Sequence, residues 1–248
     1  MNNTGAMEPE AEGWQSRLQR RYAQGDIAGA LDVALGAVVA GPDDLTALHA
    51  LAVLYLLSGK AVDAAGAFRS LLRREKSAER YFDLAVALEA GGDSSSARAA
   101  YQQALRLEPA HFKSRLNLCA LLLSLRFPAE ARVEAALLVE NHPLVPEAWC
   151  SLGHALFANF DPHAADEAFA RAQSLAPQFL PAALGRVVSL AMCGEINSSN
   201  NLLDELKALR LTPELVRSIP QAKETLELSL VDLEDIFLTA LFERYRRG

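Results

Sequence analysis

Small, apolar and polar positions recur along this chain with one period. Ala30, Ala64, Ala97, Ala131 and Ala165 stand 34, 33, 34 and 34 residues apart. Pro42, Pro109, Pro143 and Pro177 follow the same rhythm, with 67 residues between the first two and 34 between the others. A third series runs through Gly25, Gly59, Gly92 and Gly194. Between these marks the apolar residues fall at helical spacing. Tyr81, Leu84, Ala85 and Leu88 share one helix face, and Ala97, Tyr101 and Ala104 share one face of the next. Trp149, Leu152, Gly153 and Leu156, followed by Ala165, Phe169 and Ala172, repeat the arrangement. A fixed period with two amphipathic helices per unit predicts an all-α solenoid, in which each unit buries its apolar faces against its neighbours.

Each recurring residue type has a physical task. Ala52, Ala85, Cys119 and Gly153 on the first helices, and the Ala series on the second, let facing helices approach closely. Phe68, Tyr101 and Phe169 have the bulk to fill the wedge between adjacent units. Gly25, Gly59 and Gly92 suit the left-handed residue that ends a helix. The fourth and fifth units lack that Gly and have Pro128 and Pro162 two residues later, where the first turn of a helix tolerates proline. Arg115 occupies a position where an aromatic or Leu is expected.

The series Trp149, Leu152, Gly153, then Ala165, Phe169, Ala172, then Pro177 resembles the tetratricopeptide repeat consensus. The resemblance implies a right-handed α-solenoid of about six helical hairpins with a C-terminal capping helix. The expected organisation is a disordered N-terminus at 1–10, a solenoid at 11–212 and C-terminal capping or docking helices at 213–248. The units fall at about 11–44, 45–77, 78–111, 112–145, 146–179 and 180–212. In the sixth, the run Asn197 to Asn201 is read as joining two helices, and Ser199 takes the place of the small Ala. Leu226, Leu230, Leu233, Phe237, Leu241 and Tyr245 form an amphipathic stripe suited to capping, docking or pairing with a second copy.

Composition narrows the function. A formal net charge of -7 opposes a nucleic-acid groove, which needs a basic stripe. No apolar run reaches the roughly 18 residues of a membrane helix, and residues 1–13 lack a signal-peptide pattern. Three widely spaced cysteines without a CxxC fit a reducing, cytoplasmic setting. His49, His111, His142, His154 and His163 lack metal-ligand spacing, and Ser58-Gly59-Lys60 lacks the glycine a phosphate loop needs upstream. No catalytic residue, cofactor site or metal site is assigned.

The resemblance places the first helix of every unit on a concave surface. The expected partner-binding positions are His49, Val53, Leu56, Phe82, Val86, Glu89, Lys113, Leu116, Asn117, Ala120, Leu123, Glu147, His154 and Phe157. Cys150 is expected on the same surface. Family members place an Asn such as Asn117 against a peptide backbone. The two-carboxylate clamp of chaperone-binding relatives is excluded. Phe82, Val86, Glu147 and Ser151 stand where that clamp carries cationic and amide groups, and only Asn117 matches. The expected function is a non-enzymatic scaffold or assembly factor holding an extended peptide or amphipathic helix of another protein. A secretion-type chaperone and a self-assembling structural scaffold are the alternatives.

Overall fold

The computed structural model describes residues 13–208. The calls on residues 1–10 and on the C-terminal stripe lie outside the described residues. Those described form an all-α repeat solenoid of twelve helices. The first hairpins are α1 (Trp14–Ala23) with α2 (Ile27–Ala40), α3 (Leu45–Leu57) with α4 (Ala61–Arg74), and α5 (Ala78–Ala90) with α6 (Ser94–Leu107). Then come α7 (Phe112–Ser124) with α8 (Pro128–Asn141), α9 (Pro146–Ala158) with α10 (Pro162–Leu175), and α11 (Leu180–Cys193) with α12 (Ile196–Ala208). The chain divides within α7 into two compact bodies, Met1–Asn117 and Leu118–Gly248.

Local chemistry starts the helices. The carboxylates of Asp26, Asp93 and Asp161 accept backbone N–H bonds at the heads of α2, α6 and α10. Asp44 does the same for α3, and Ser77 for α5. Pro128, Pro146 and Pro162 open α8, α9 and α10, where a missing N–H costs no intrahelical bond.

The turn inside each hairpin closes the same way six times. The residue after the turn donates its N–H five residues back: Asp26 to Arg21, Lys60 to Tyr55, Asp93 to Leu88, Phe127 to Leu122, Asp161 to Leu156 and Glu195 to Leu190. This Schellman closure needs a left-handed residue just before the donor. Gly25, Gly59, Gly92 and Gly194 supply it with φ of 72° to 86°. Arg126 and Phe160 take it without being glycine, at φ 64° and 62°. The hydrogen-bond closure therefore persists where the sequence lost its glycine, at a steric cost of about 1–2 kcal/mol per residue. Arg126→Gly and Phe160→Gly are each expected to raise stability by about 1 kcal/mol in urea titrations. A loss of stability in both would contradict the strain.

The packed interior follows the small-residue series. Ala30, Ala52, Ala64, Ala85 and Ala97 are sealed in the N-terminal body, with Phe68, Leu71 and Tyr101 filling the space between helices. Leu18, Ile27 and Tyr55 pack against the cluster of Ala30, Ala34, Leu51 and Leu54. In the C-terminal body Ala131, Ala135 and Leu138 are sealed, and Ala165, Ala172 and Ala182 cluster with Phe169. The Asn197 to Asn201 run is not a connection: it is the start of α12. Ser199 is buried there because its hydroxyl donates to the Val187 carbonyl at 2.8 Å.

Candidate protein-binding site

The first helices of the N-terminal body present one continuous polar-and-apolar face. Two rungs, each spanning 34 residues of sequence, tie these helices together. His49 Nε2 on α3 lies 3.1 Å from Asp83 Oδ2 on α5, and Lys113 Nζ on α7 donates to Glu79 Oε1 on α5 at 2.9 Å. Phe82 sits half-buried among them. Its ring is 6.1 Å from that of Tyr101 and 5.9 Å from His111, and Lys113 Nζ stands 5.6 Å from its centre. Val53, Leu56, Val86 and Leu116 are also half-buried, so their apolar atoms remain accessible to a partner.

Beside this floor runs a chain of hydrogen bonds. Asn117 Nδ2 donates to the Tyr101 hydroxyl at 3.2 Å, and that hydroxyl donates to Glu89 Oε2 at 2.8 Å. Tyr101 is sealed, and burial pushes its phenol well above the usual range, so it stays a neutral donor. The chain fixes the Asn117 amide and leaves Glu89 exposed. The face thus carries three carboxylates, Glu79, Asp83 and Glu89, against one ammonium, Lys113.

Lys113 and, less strongly, His111 hold Glu79 below the ordinary glutamate range. Glu79 in turn raises Lys113. The hold on Glu79 stabilises the fold above the unfolded carboxylate value near ~4.3 and is lost as pH falls through the lower folded value. Both groups are exposed, so its contribution is under about 1 kcal/mol. Lys113→Met is expected to move the Glu79 titration midpoint upward, read by carboxyl-carbon NMR; an unmoved midpoint would contradict the rung.

His111 belongs to the architecture of the face. The Ser114 backbone N–H donates to His111 Nδ1 at 3.2 Å, and Ser114 Oγ lies 2.8 Å from the same atom. With Nδ1 accepting, the proton sits on Nε2, which donates to Glu79 Oε2 at 3.0 Å. Hydroxyl, imidazole and carboxylate stand in line, yet Ser114 is 0% exposed and the imidazole caps the head of α7. The trio holds a helix start; it does not present a nucleophile.

Arg115 departs from the repeat pattern in type and matches it in chemistry. Its Nη2 donates to the Pro109 carbonyl at 2.7 Å. One repeat later, Trp149 Nε1 donates to the Pro143 carbonyl at 2.8 Å. The guanidinium therefore replaces the indole N–H, and Arg115 is only 7% exposed.

The corresponding face of the C-terminal body is more apolar. Leu123 on α7 and Phe157 on α9 are half-buried, and Met192 on α11 is exposed. Phe157 packs with Trp149 and Leu156 on the cluster around Phe169. His154 is accessible and meets Phe169 edge-on at 5.0 Å between ring centres. Desolvation by the surrounding protein lowers its pKa, which keeps it neutral at pH 7. Ala120 and Glu147 stand exposed. Cys150, expected on this face, is instead buried because its side chain joins Ala165, Phe169, Ala172 and Ala182 in the core, and burial pushes its thiol up to about 12.

His49, Phe82, Glu89, Lys113 and Asn117 are thus brought into one linked set. Glu79, a rim position of the same surface, joins them with Asp83, Tyr101 and His111, and these last three lie outside the positions expected to face a partner. Opposite charges one repeat apart, at 79 and 113, are the sequence signal for the Glu79–Lys113 rung. Among the described residues no cluster of His, Cys, Asp or Glu could hold a metal ion, and no helix is long and apolar enough to cross a membrane.

The tetratricopeptide repeat profile matches residues 78–111 and 146–179. No curated protein matches the chain. Among solved structures, a MamA fragment (41-end) from Desulfovibrio magneticus RS-1 is 21% identical, with TM-score 0.61 over 72% of this chain and 98% of that one. A tetratricopeptide repeat protein from Parabacteroides merdae ATCC 43184 is 16% identical, with TM-score 0.68 over 79% and 78% of the two chains. YrrB, described as a TPR protein with an unusual peptide-binding site, is 18% identical, with TM-score 0.55 over 70% and 90%. At these identities the likeness is one of fold. The two matched segments are thus tetratricopeptide repeats, and the series of hairpins has the fold of tetratricopeptide repeat proteins.

Proposed function

We propose that the chain is a non-enzymatic scaffold or assembly factor that holds a segment of another protein along its first helices. Tetratricopeptide folds are protein-interaction scaffolds, and the N-terminal face has the chemistry of a peptide site. The observation that carries the reading is Phe82, half-buried with accessible apolar neighbours, between carboxylates already fixed by Lys113, His49 and Tyr101. Fixed carboxylates around an apolar floor favour an extended or helical segment with apolar anchors flanked by Lys or Arg. Asn117, oriented by Tyr101, retains an amide N–H and its carbonyl for the partner's backbone. On the C-terminal body, Leu123, His154, Phe157 and Met192 suit an apolar stretch. That YrrB is described as having a peptide-binding site supports the same use of the fold.

A photo-crosslinking residue placed at Val86, on the first-helix face, tests this directly. The control site is Val62, exposed on α4. In native lysate the expected result is a discrete partner adduct at 86 and none at 62. The same adduct at 62 and none at 86 would overturn the proposal.

A further inference from the structure

The C-terminal body carries a second feature that neither its fold nor its first-helix face explains. Phe160, in the α9–α10 turn, is 89% exposed. It also holds φ at 62°, where bulky side chains are disfavoured. The equivalent residues Gly25, Gly59, Gly92 and Gly194 adopt this geometry without a side-chain penalty. The ring therefore carries a steric cost and gains almost no packing in return. Strain kept at an exposed residue points to a use outside folding.

The neighbouring turn adds to the same edge. Asn159 Nδ2 donates to the Pro128 carbonyl at 2.7 Å, which ties the α9–α10 turn to the start of α8. Phe127, beside Pro128, is exposed, and so is Ile196 at the head of α12. Asp161 follows Phe160 directly, with one carboxylate oxygen capping α10 through Ala164 N–H at 3.1 Å. Glu195 stands directly after Gly194, the place in its turn that Asp161 holds after Phe160, and both carboxylates are exposed. The other charged residue of these three turns, Arg126, precedes Phe127.

We propose that this turn edge is a second docking point, taking a cationic, apolar segment of a partner protein with a Lys or Arg over the Phe160 ring beside Asp161. An open aromatic face beside carboxylates attracts a cation through the ring quadrupole and through charge. Phe127 and Ile196 accept the apolar side chains next to it.

The test is an NMR titration of the 15N-labelled full chain. The probe is the capped peptide Arg-Leu-Arg-Trp-Arg-Leu, and the control has Glu in place of each Arg. The expected result is salt-sensitive amide shifts centred on residues 126–128, 159–162 and 194–196, absent with the Glu peptide. Phe160→Gly should weaken binding at least about tenfold while leaving melting unchanged or raised, so that lost binding is not lost folding. Glu195→Gln should weaken it less. Any of four outcomes would overturn the proposal. These are undiminished affinity in Phe160→Gly, shifts confined to α3, α5 and α9, no shift up to about 1 mM peptide, or shifts of the same amides on simple dilution, which would mean a second copy occupies the edge.

Discussion

Phe169→Ala is expected to cost about 3–5 kcal/mol, more than any other single truncation in the C-terminal body. The ring is 1% exposed and sits between two glycines of different helices. A Cβ added at Gly153 on α9 would come 2.6 Å from a ring carbon, and one added at Gly185 on α11 would come equally close. Both helices thus meet the ring backbone-first. Removing it opens a cavity that they cannot readily close. The converse substitutions overfill the same space. Gly153→Ala or Gly185→Ala is expected to destabilise by about 1–3 kcal/mol, because a ring enclosed on both sides has little room to yield. The two effects should be non-additive: Gly153→Ala combined with Phe169→Leu should cost less than the sum of the singles. Urea denaturation of these variants and of Phe169→Leu alone reads this. Additivity, or a Phe169→Ala cost below about 1 kcal/mol, would contradict the sandwich.

Arg115→Ala is the second large loss, expected on the order of 3 kcal/mol. The side chain is almost fully buried, so its truncation leaves a void. It also strips the Pro109 carbonyl of its donor, which by itself costs about 1–3 kcal/mol. The comparison with Trp149 makes the prediction specific. Arg115→Trp should recover most of the stability, because the indole N–H reaches the equivalent carbonyl one repeat later at 2.8 Å. Arg115→Leu should recover the volume and not the hydrogen bond, and so fall between. If Leu equals or exceeds Trp in chemical denaturation, the hydrogen bond is not what the position requires.

These two positions show where the sequence was legible and where it was not. The Ala ladder, the Phe68, Tyr101 and Phe169 wedges and the Gly turns were readable because each rests on size or backbone freedom, and those properties recur with the period. Gly153 was readable as a small residue, but its partner Gly185 was not, since it stands elsewhere in its own repeat. Arg115 looked like a departure because residue type hides function: guanidinium and indole share an N–H donor, not a hydropathy. Arg126 and Phe160 concealed their left-handed geometry for a related reason. The hydrogen-bond closure of the turn dictates φ there, and the local side chain does not. His111 caps a helix with an imidazole, outside the usual set of Ser, Thr, Asp and Asn. The Asn197 to Asn201 run has a loop-like composition, yet the buried hydroxyl of Ser199 and the preceding Schellman turn carry it into α12. Of the binding face, Phe82, Glu89, Lys113 and Asn117 could be placed from position in the repeat. The rungs that fix them needed side-chain geometry.

The central claim is that the face built on Phe82 and Leu116 holds a partner protein. Its most direct test is capture from native lysate by the full chain and by a Phe82→Glu, Leu116→Glu double variant. Unchanged helical circular dichroism and melting of the variant must come first, because Phe82 also packs against Tyr101 and His111. The account predicts a partner captured by the wild type and lost from the folded variant. A folded variant that retains the same partner would contradict it.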